Sequence, residues 1–403
     1  MRLLFASWHF YLDQSNGASI TAREILRAIS RRDWDVSTFC GSAVDDWNRS
    51  DAIGALARRG LSALRKLENR DSAPFTTFSF RDGAINSILF CPEDRAPIPS
   101  RKVGAAFLRL LTSVLRRVKP DVVLSYGGYW LGGDLLKAAR DVGAKTVVLL
   151  QNFAYHDRSY FRGADLVVTP SNYASDVYRK RLGIESVALP PLIDWENVVP
   201  QNENDARDKN TEGNRLLFVN PSRNKGVFLF ARIATELQRL RPDIPILVVE
   251  GSDGAKELRD IAKGWSDARN IEYMKNTTRP ANFFRYAKAT LVPSFFDESF
   301  GRVAAESLIA GKPVVASNRG ALPETLGDAA ILLDVPKRYD PETLIAPTSE
   351  EARPWVDAIT RLWDDPEFYE ERRKKGLERA KLWKYSSVAE KYENVFRELV
   401  GKD

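Results

Sequence analysis

The sequence predicts an α/β protein that contains two doubly wound domains. Three observations lead to this prediction. Apolar strand-like runs alternate with helical patterns along most of the 403 residues, a polar segment near the middle interrupts this alternation, and the chain is 44% hydrophobic and 28% charged, as folded globular proteins are. A chain of this length exceeds what one hydrophobic core usually supports, so we expect two domains with a core each.

The first region begins with a strand, a helix and a second strand. Residues 2–7 form an apolar run, residues 18–31 place apolar side chains at helical spacing, and residues 36–40 are strand-like again. Such alternation is typical of a parallel sheet covered by helices. Further strands are expected at 121–125, 145–150 and 165–169, and further helices at 131–142 and 171–182.

This rhythm is lost between residues 44 and 100. Within that interval, residues 58–70 (RRGLSALRKLENR) form a basic stretch with Leu61, Leu64 and Leu67 on one side. The three-residue spacing of these leucines is typical of one face of a helix. We therefore expect the stretch to leave the sheet as a helix.

A polar segment at residues 201–214 (QNENDARDKNTEGN) has almost no apolar side chains and is typical of a linker. We therefore predict an N-terminal domain over 1–200, a linker over 201–214, a second α/β domain over 215–384, and an amphipathic C-terminal helix within 385–403. The strands of the second domain are expected at 215–219, 244–250, 271–274, 289–292 and 313–316.

Cysteine content and charge narrow the class of protein. Cys40 and Cys91 are too few for a disulfide framework and lack the spacing of a zinc site, so a reducing, cytoplasmic compartment is expected. The net charge of +6 comes without a basic tail, a helix-turn-helix pattern or an RNA-binding aromatic signature, which argues against a nucleic-acid partner. No stretch of the sequence has the length and apolarity of a membrane-spanning helix.

The most informative segment is LVPSFFDESFGRVAAESLIAGKPVVAS at residues 291–317. Its pattern predicts a strand, a loop, a helix and a second strand, with Glu298 in the loop and Glu306 about one turn into the helix. A carboxylate in such a loop accepts hydrogen bonds from ligand hydroxyls. Gly301 lets a ligand approach the backbone, and the amides of residues 300–303 at the start of the helix suit a diphosphate.

A second loop, FVNPSRNKG at residues 218–226, follows another strand and precedes another helix. A lysine or arginine in this position stabilises the negative charge that develops on a departing diphosphate. Lys225 and Arg223 are therefore candidate catalytic residues. For Arg223 the alternative is a solvated charge in the loop.

These two segments resemble the retaining glycosyltransferases of family 4, whose C-terminal domain carries a Glu-x7-Glu motif followed by Gly-x-Pro-Val. The resemblance implies the GT-B fold, in which two Rossmann-like domains face each other across a cleft, with the donor held by the C-terminal domain and the final helix returning to the N-terminal one. It also implies that Glu298 contacts the transferred sugar and that Glu306 binds the ribose hydroxyls. Lys225 matches the family's Lys-Gly pair, and either Arg223 or Asn220 takes the place of the family's arginine.

Further candidates come from positions that follow the predicted strands. Asn152 and His156 follow the strand at 145–150, where doubly wound sheets place ligand groups, and either of them is expected to face the sugar. His9 also follows a strand, but no partner for it is evident. Gly17 lies where a loop turns into a helix, a place suited to an anion. The predicted donor-binding residues are Glu306, Ser299, Phe300, Gly301, Arg302, Val303, Gly17, Asn220 and Gly251, with Gly320 and Glu324 as secondary contacts.

The resemblance implies transfer of a hexose-type sugar, with retention at the anomeric carbon, from a nucleotide diphosphate sugar to a hydroxyl acceptor. The acceptor is expected to be a glycan, a lipid-linked saccharide or a small molecule. The donor is a substrate, and neither a cofactor nor a metal is expected, because no Asp-x-Asp triplet is convincingly placed.

Three alternatives remain open at this point. The first is a nucleotide-sugar hydrolase or epimerase on the same fold, and the second is a catalytically silent sugar-binding module. The third concerns residues 58–70, which are either a solvated helix or a helix that docks the enzyme on the anionic inner face of a membrane.

Overall fold

The computed structural model describes residues 1–13, 17–45, 51–68, 74–93, 98–126, 130–200, 213–251, 258, 260 and 270–401. The chain forms two compact units. The first unit comprises Met1–Leu192 together with Tyr385–Asp403, and the second comprises Ile193–Lys384. Of the predicted linker at 201–214, only residues 213 and 214 are described. The segment that precedes it, from Ile193 onward, belongs to the second unit.

The first unit contains a sheet with helices on both faces. Its described strands are β1 Arg2–His9, β2 Asp35–Ala43, β3 Ala63–Glu68, β4 Phe75–Asp82, β5 Ile85–Pro92, β6 Val122–Tyr126, β7 Lys145–Leu149, β8 Leu166–Thr169 and β9 Val187–Ala188. Its described helices before the second unit are α1 Gly17–Ser30, α2 Ala52–Arg58, α3 Arg101–Val118, α4 Leu131–Arg140 and α5 Asn172–Leu182, with a short 3₁₀ turn at Arg158–Phe161.

The strands of the first unit follow the order β3-β4-β5-β2-β1-β6-β7-β8-β9. In the part of this order that runs from β5 through β2, β1, β6, β7 and β8 to β9, all neighbouring strands are parallel. The β3–β4 and β4–β5 pairs are antiparallel. The central strand β1 is buried on both faces, because Leu3 and Phe5 enter one hydrophobic cluster while Leu4 and Ala6 enter the other. Burial on both sides explains why this strand is an unbroken apolar run instead of an alternating one.

The expectation that residues 58–70 leave the sheet as a helix is wrong. The helix α2 ends at Arg58, and β3 then pairs antiparallel with β4 at the edge of the sheet. The leucine spacing resembles a helix face, but pairing with the aromatic and threonine-rich β4 decides the backbone conformation, because β preference depends on the neighbouring strand. The last two residues of this stretch lie outside the described residues.

The second unit also contains a sheet between layers of helices. Its described strands are β10 Arg215–Val219, β11 Ile246–Val249, β12 Ile271–Met274, β13 Ala287–Val292, β14 Val314–Ser317 and β15 Ile331–Leu333. Its described helices are α6 Trp195–Val198, α7 Val227–Leu240, α8 Ala281–Phe284, α9 Arg302–Ile309, α10 Leu322–Leu326, α11 Ser349–Asp364 and α12 Pro366–Ala380, with 3₁₀ turns at Gly327–Ala329 and Lys381–Trp383.

All described strands of the second unit run parallel, in the order β12-β11-β10-β13-β14-β15. This order is that of a doubly wound Rossmann sheet, and its direction reverses between β10 and β13. In such sheets, ligands bind beyond the carboxyl ends of the strands at this reversal. The prediction of an α/β protein with two doubly wound domains is confirmed, with an antiparallel addition at one edge of the first sheet.

The C-terminal helix, α13 Tyr385–Leu399, packs in the first unit. Val388, Tyr392 and Phe396 repeat every four residues and are fully buried in the same cluster as Trp34. The hydroxyl of Tyr392 donates a hydrogen bond to the carbonyl of Leu189 (3.4 Å). Among the helices that the structure describes, none combines the length and the apolarity required to cross a bilayer.

Candidate active site

The two loops selected from the sequence follow adjacent strands at the reversal point of the second sheet. Residues 220–226 connect β10 to α7, and residues 293–301 connect β13 to α9. Because β10 and β13 are parallel neighbours, their carboxyl ends place both loops at the same edge of the sheet. The topology therefore brings the two loops together, although about seventy residues separate them in the chain.

Lys225 and Glu298 form an ion pair at this edge, with 2.7 Å between Nζ and Oε1. The carboxylate side chain is 8% exposed and the lysine side chain 25% exposed. The hydroxyl of Ser294, which is completely buried, donates to the same Oε1 atom at 2.9 Å. Within the described part of the chain, Oε2 of Glu298 accepts no hydrogen bond. One oxygen of Glu298 is thus held by the protein, and the other is available to a ligand.

Backbone hydrogen bonds join the two loops. The amide of Phe295 donates to the carbonyl of Asn224 (3.0 Å), and the ammonium of Lys225 lies 4.8 Å from the centre of the Phe296 ring. Gly226 adopts a φ of +76°, and a Cβ there would lie 1.8 Å from the carbonyl oxygen of Pro293. Only glycine permits this backbone approach. The glycine after Lys225 therefore allows the Lys225 loop to approach the loop that carries Glu298.

The end of β14 and the segment that follows it make hydrogen bonds to the Glu298 loop. The amide of Ala321 donates to the carbonyl of Glu298 (2.8 Å), and the hydroxyl of Ser317 donates to the carbonyl of Ser294 (2.9 Å). The guanidinium of Arg319 donates through Nη1 to the carbonyls of Phe295 and, at 2.8 Å, Tyr339. The loop that carries Glu298 is therefore fixed on two sides.

The helix α9 begins directly after this loop and contains Glu306. Its N-cap residue Gly301 has a φ of +87° and packs so closely on Leu322 that a Cβ would lie 2.4 Å from a side-chain carbon. The backbone amides of the first turn, beginning at Arg302 and Val303, point out of the helix N-terminus and favour an anion there. Glycine at 301 is thus required by the fold itself.

Glu306 is buried and accepts a hydrogen bond from Nε of Arg302, one turn earlier, at 2.7 Å. Burial raises the pKa of the Glu306 carboxyl, and the nearby Arg302 guanidinium opposes this shift. A buried carboxylate with a single described donor can still accept hydrogen bonds from the hydroxyls of a ligand. The ribose-binding role that the resemblance implies for Glu306 stays a prediction.

Phe300 contributes to the hydrophobic core. Its ring packs edge-on against Trp383 at 5.8 Å between centroids, and its carbonyl accepts a hydrogen bond from the hydroxyl of Thr325 (2.5 Å). The side chain is therefore part of the second core of this unit. Any contact of Phe300 with the donor would have to use its backbone amide.

Asn220 and Gly251 lie side by side at the ends of β10 and β11. A Cβ at Gly251 would lie 2.1 Å from Oδ1 of Asn220, and Asn220 itself adopts a positive φ of +60°. Arg223, in the same loop, has an exposed side chain, and its carbonyl accepts a hydrogen bond from the amide of Gly226 (2.9 Å). Which of Arg223 and Asn220 takes the place of the family's arginine stays a prediction.

Asn152, His156 and Gly17 belong to the first unit. The side chain of Asn152 accepts a hydrogen bond from the amide of Ala154 (3.0 Å) and thereby closes a local turn, whereas His156 is exposed in the same loop after β7. Gly17 is exposed at the first residue of α1. Asn152 and His156 thus follow a strand and Gly17 begins a helix, as the sequence predicts. The roles of the three residues remain predictions.

His9 has close neighbours in the structure that the sequence does not indicate. Its ring is buried at the end of β1, lies 6.1 Å from the ring of Tyr126, and has Nδ1 3.8 Å from a carboxylate oxygen of Asp45. Burial lowers the pKa of His9, while the charges of Asp45 and Asp13 oppose this shift. No partner was evident in the sequence because Tyr126 and Asp45 are remote in the chain: Tyr126 ends β6 and Asp45 follows β2.

Ser294, Phe296 and Arg319 were not selected from the sequence, although all three contact Lys225 or support the Glu298 loop. Ser294 belongs to the Pro-Ser pair of the informative segment, and that was the one available signal. Nothing in the sequence around Arg319 indicates its contact with Phe295, since the contact depends on how β14 and β13 are paired.

The fold and this site define a class of proteins. The structure is similar to sucrose-phosphate synthase from Thermosynechococcus elongatus, with a TM-score of 0.70, 17% sequence identity and 100% of each chain covered. It is also similar to HepE from Anabaena, solved in complex with UDP-glucose, with a TM-score of 0.69, 14% identity, and 99% of this chain and 100% of that chain covered. The chain has the GT-B fold of glycosyltransferases.

Sequence comparison finds relatives of the second unit among glycosyltransferases. Residues 201–379 match the family described as Glycosyl transferases group 1. D-inositol 3-phosphate glycosyltransferase of Paenarthrobacter aurescens (strain TC1) is 30% identical over 207 residues, which are 48% of this chain and 46% of that protein. The chain spans about half the length of the relatives it matches. Its second unit is therefore similar to the group 1 glycosyltransferases, in agreement with the resemblance seen in the sequence.

Proposed function

We propose that this chain transfers a hexose-type sugar, with retention at the anomeric carbon, from a nucleotide diphosphate sugar to a hydroxyl acceptor. The observation that carries the proposal is the ion pair between Lys225 and Glu298 at the reversal point of a Rossmann sheet, beside the N-terminus of α9. A cation, a helix N-terminus and a carboxylate acceptor are the groups that a diphosphate joined to a sugar requires. The UDP-glucose complex of HepE, on the same fold, supports this choice of donor.

Each half of the donor has its own partner in the proposal. Oε2 of Glu298 accepts a hydrogen bond from a hydroxyl of the sugar, and Glu306 accepts hydrogen bonds from the ribose. Lys225 retains two N–H groups beyond its bond to Glu298 and donates them to the diphosphate, whose charge the α9 N-terminus also favours. The donor is a substrate, and the proposal includes neither a cofactor nor a metal.

The chemical step is a front-face substitution. The acceptor oxygen forms its bond to the anomeric carbon on the face from which the bond to the phosphate oxygen breaks, and that departing oxygen takes the acceptor proton. Negative charge therefore builds up on the diphosphate in the transition state. Lys225 and the α9 amides are already oriented toward this edge, so they stabilise that charge without reorganisation.

The test is product analysis with a matched pair of variants. UDP-, ADP- and GDP-sugars are incubated with and without hydroxyl acceptors, and NMR gives the anomeric configuration of the product. Lys225→Met should lower kcat/KM by about a hundredfold or more, as losses of one transition-state donor do. Lys337→Met, at an exposed lysine of the same unit, should be unchanged.

Four outcomes of this test would contradict the proposal. Sugar release at the same rate without any acceptor would indicate a hydrolase, and rearranged donor without transfer would indicate an epimerase. Nucleotide binding without turnover, across all donors and acceptors, would indicate a sugar-binding module. An inverted product would overturn the assignment of retention.

We also propose that the enzyme acts in the cytoplasm and contacts anionic membrane lipid through the first unit. Leu64, Arg65 and Lys66 of the edge strand β3 are exposed, with Leu64 81% exposed. Leu64 also lines a cavity of about 640 Å³ together with Arg117, which follows the exposed Arg116 on α3. An apolar side chain surrounded by cations is suited to an anionic lipid surface.

Co-sedimentation with phosphatidylglycerol vesicles at low salt tests this contact. Binding should fall several-fold in the double variant Arg65→Glu, Lys66→Glu and with rising salt, because screened charges attract the surface less. Lys391→Glu, at an exposed lysine on α13 of the same unit, serves as the control. Background binding of the unaltered chain at low salt would rule the contact out.

A further inference from the structure

An ion pair joins the two residues that the proposed function assigns to opposite halves of the donor. Glu298 is assigned to the sugar and Lys225 to the diphosphate, yet their charged groups are 2.7 Å apart. The carboxylate is 8% exposed, so water screens this attraction weakly. A ligand that binds to either residue therefore changes the electrostatic environment of the other.

We propose that the Lys225–Glu298 pair makes the donor site selective for an intact nucleotide sugar over the nucleoside diphosphate that remains after transfer. This inference rests on the proposed function and concerns how the same site distinguishes its substrate from its product. The selectivity comes from Glu298, which opposes the binding of a diphosphate unless a sugar is attached to it.

The charges around the helix N-terminus support this inference. Lys225 is offset by Glu298, and Arg302 is likewise offset by Glu306 at 2.7 Å. These four side chains have a combined charge close to zero when both carboxyls are ionised. A nucleoside diphosphate that binds here is attracted by Lys225 and repelled by the nearby Glu298 carboxylate, so the net attraction that this pair of side chains adds to that of the helix N-terminus is small.

An attached sugar changes this balance. Oε1 of Glu298 is held by Lys225 and Ser294, while Oε2 accepts no hydrogen bond within the described residues. A sugar hydroxyl that donates to Oε2 stabilises the carboxylate. This hydrogen bond offsets part of the unfavourable binding free energy that comes from repulsion between the carboxylate and the diphosphate. The diphosphate alone has no hydroxyl in that place. The intact donor is therefore favoured, and the diphosphate is released more readily once the sugar has gone.

Ser294 keeps the two oxygens in these separate roles. Its hydroxyl is completely buried, and its backbone carbonyl accepts a hydrogen bond from Ser317, so its position is fixed from both ends. A carboxylate held through one oxygen cannot rotate to give both oxygens to Lys225. Oε2 remains directed to the ligand.

Isothermal titration calorimetry without acceptor tests the inference. The ligands are UDP and UDP-glucose, or the ADP or GDP pair if the chain prefers that base. Glu298→Gln should bind the nucleoside diphosphate at least about threefold more tightly than the unaltered chain, because the repelling charge is gone. The same variant should bind the nucleotide sugar more weakly or no better. The ratio of the two dissociation constants should therefore fall.

Two controls isolate the ion pair. Glu306→Gln alters the other buried glutamate, and since both ligands contain the ribose it should weaken both equally and leave the ratio unchanged. In a Lys225→Met background, Glu298→Gln should no longer tighten diphosphate binding to the same extent, because part of the gain comes through the released lysine. Thermal unfolding of each variant verifies that it is folded, and Glu298→Ala replaces Glu298→Gln if the latter fails this check.

The outcomes separate the inference from the proposed function. If Glu298→Gln weakens the diphosphate as much as the nucleotide sugar, Glu298 only positions Lys225 and the inference is wrong. An unchanged affinity for the diphosphate would also overturn it. If the unaltered chain binds no nucleoside diphosphate and no nucleotide sugar, the proposed function itself fails.

Discussion

Gly320 and Glu298 touch through their backbones. A Cβ at position 320 would lie 2.5 Å from the amide nitrogen of Glu298 and 2.7 Å from its carbonyl oxygen. Gly320 also adopts a φ of +60°, which other residues rarely adopt. The position of the proposed sugar-binding carboxylate is thus determined in part by a glycine that follows a different strand, β14.

Gly320→Ala is expected to displace the Glu298 loop. The variant should lose about 2 to 4 kcal/mol of unfolding free energy, because it combines a strained φ with a backbone clash. Its kcat/KM should fall by at least about tenfold, since small displacements at a reacting site are costly. Urea unfolding and steady-state kinetics measure the two effects.

The control for this variant is Gly83→Ala. Gly83 has a similar φ of +63°, but a Cβ there would have no heavy atom within 4 Å. Its stability loss should be limited to about 1 kcal/mol from the backbone strain, with activity unchanged. Equal losses of activity in the two variants would show that the clash with Glu298 has no special effect.

Arg319→Lys is expected to loosen the same loop without removing a charge. The planar guanidinium joins the carbonyls of Phe295 and Tyr339, and a lysine cannot reproduce that geometry. The expected result is a fall in kcat/KM of about tenfold with a stability loss of about 1 to 2 kcal/mol. Arg241→Lys, whose guanidinium binds Asp243 and Asp364 away from this loop, should retain full activity.

Glu306 should make stability depend on pH. Burial raises its pKa above the ordinary value of 4.5, so between these two values the folded protein binds more protons than the unfolded chain. The free energy of unfolding contributed by this group therefore falls as pH rises through that window. Denaturant titrations from about pH 4.5 upward should show a flatter profile for Glu306→Gln than for the unaltered chain.

Glu370→Gln is the control, because the pKa of Glu370 is shifted in the opposite direction to that of Glu306. A hydrogen bond from Arg373 lowers the pKa of Glu370, so this group contributes stability above 4.5 that is lost as pH falls through its folded value. Its removal should leave the profile above pH 4.5 parallel to that of the unaltered chain. Parallel profiles for Glu306→Gln and the unaltered chain would contradict the assignment of the shift to burial of Glu306.

Phe300→Leu should affect folding and leave nucleotide affinity intact. The ring packs against Trp383 in the core, so its partial loss should cost about 1 to 2 kcal/mol of stability. Phe283→Leu, in the same cluster, should lose a similar amount. Calorimetry with UDP should give unchanged dissociation constants for both. A large loss of affinity confined to Phe300→Leu would assign its side chain to the donor.

The sequence indicated candidate site residues where one local segment carried the signal. Glu298, Glu306 and Lys225 could be selected because their loops follow apolar strands and contain glycines that such loops require. Ser294 and Arg319 could not be assigned a role in the same way. Their effect depends on hydrogen bonds to Glu298 and Phe295, and Arg319 is remote from its partner in the chain.

Residues 58–70 show a different limit of sequence interpretation. The spacing of their leucines matches a helix, whereas residues 63–68 form an edge strand. For a short segment, local spacing provides little free energy compared with the backbone hydrogen bonds that a neighbouring strand offers. The error therefore arose where a tertiary partner, β4, decides the conformation.

The amino-acid order was sufficient for the fold class and the family resemblance, because apolar periodicity and loop glycines are local properties of the chain. It also indicated candidate donor residues, whose roles stay predictions. Only the tertiary structure showed that Lys225 and Glu298 are bonded to each other, that Gly320 places Glu298, and that Phe300 belongs to the core. These relationships depend on which strands are neighbours in the sheet. Strand order results from packing of the whole unit, and no single segment contains that information.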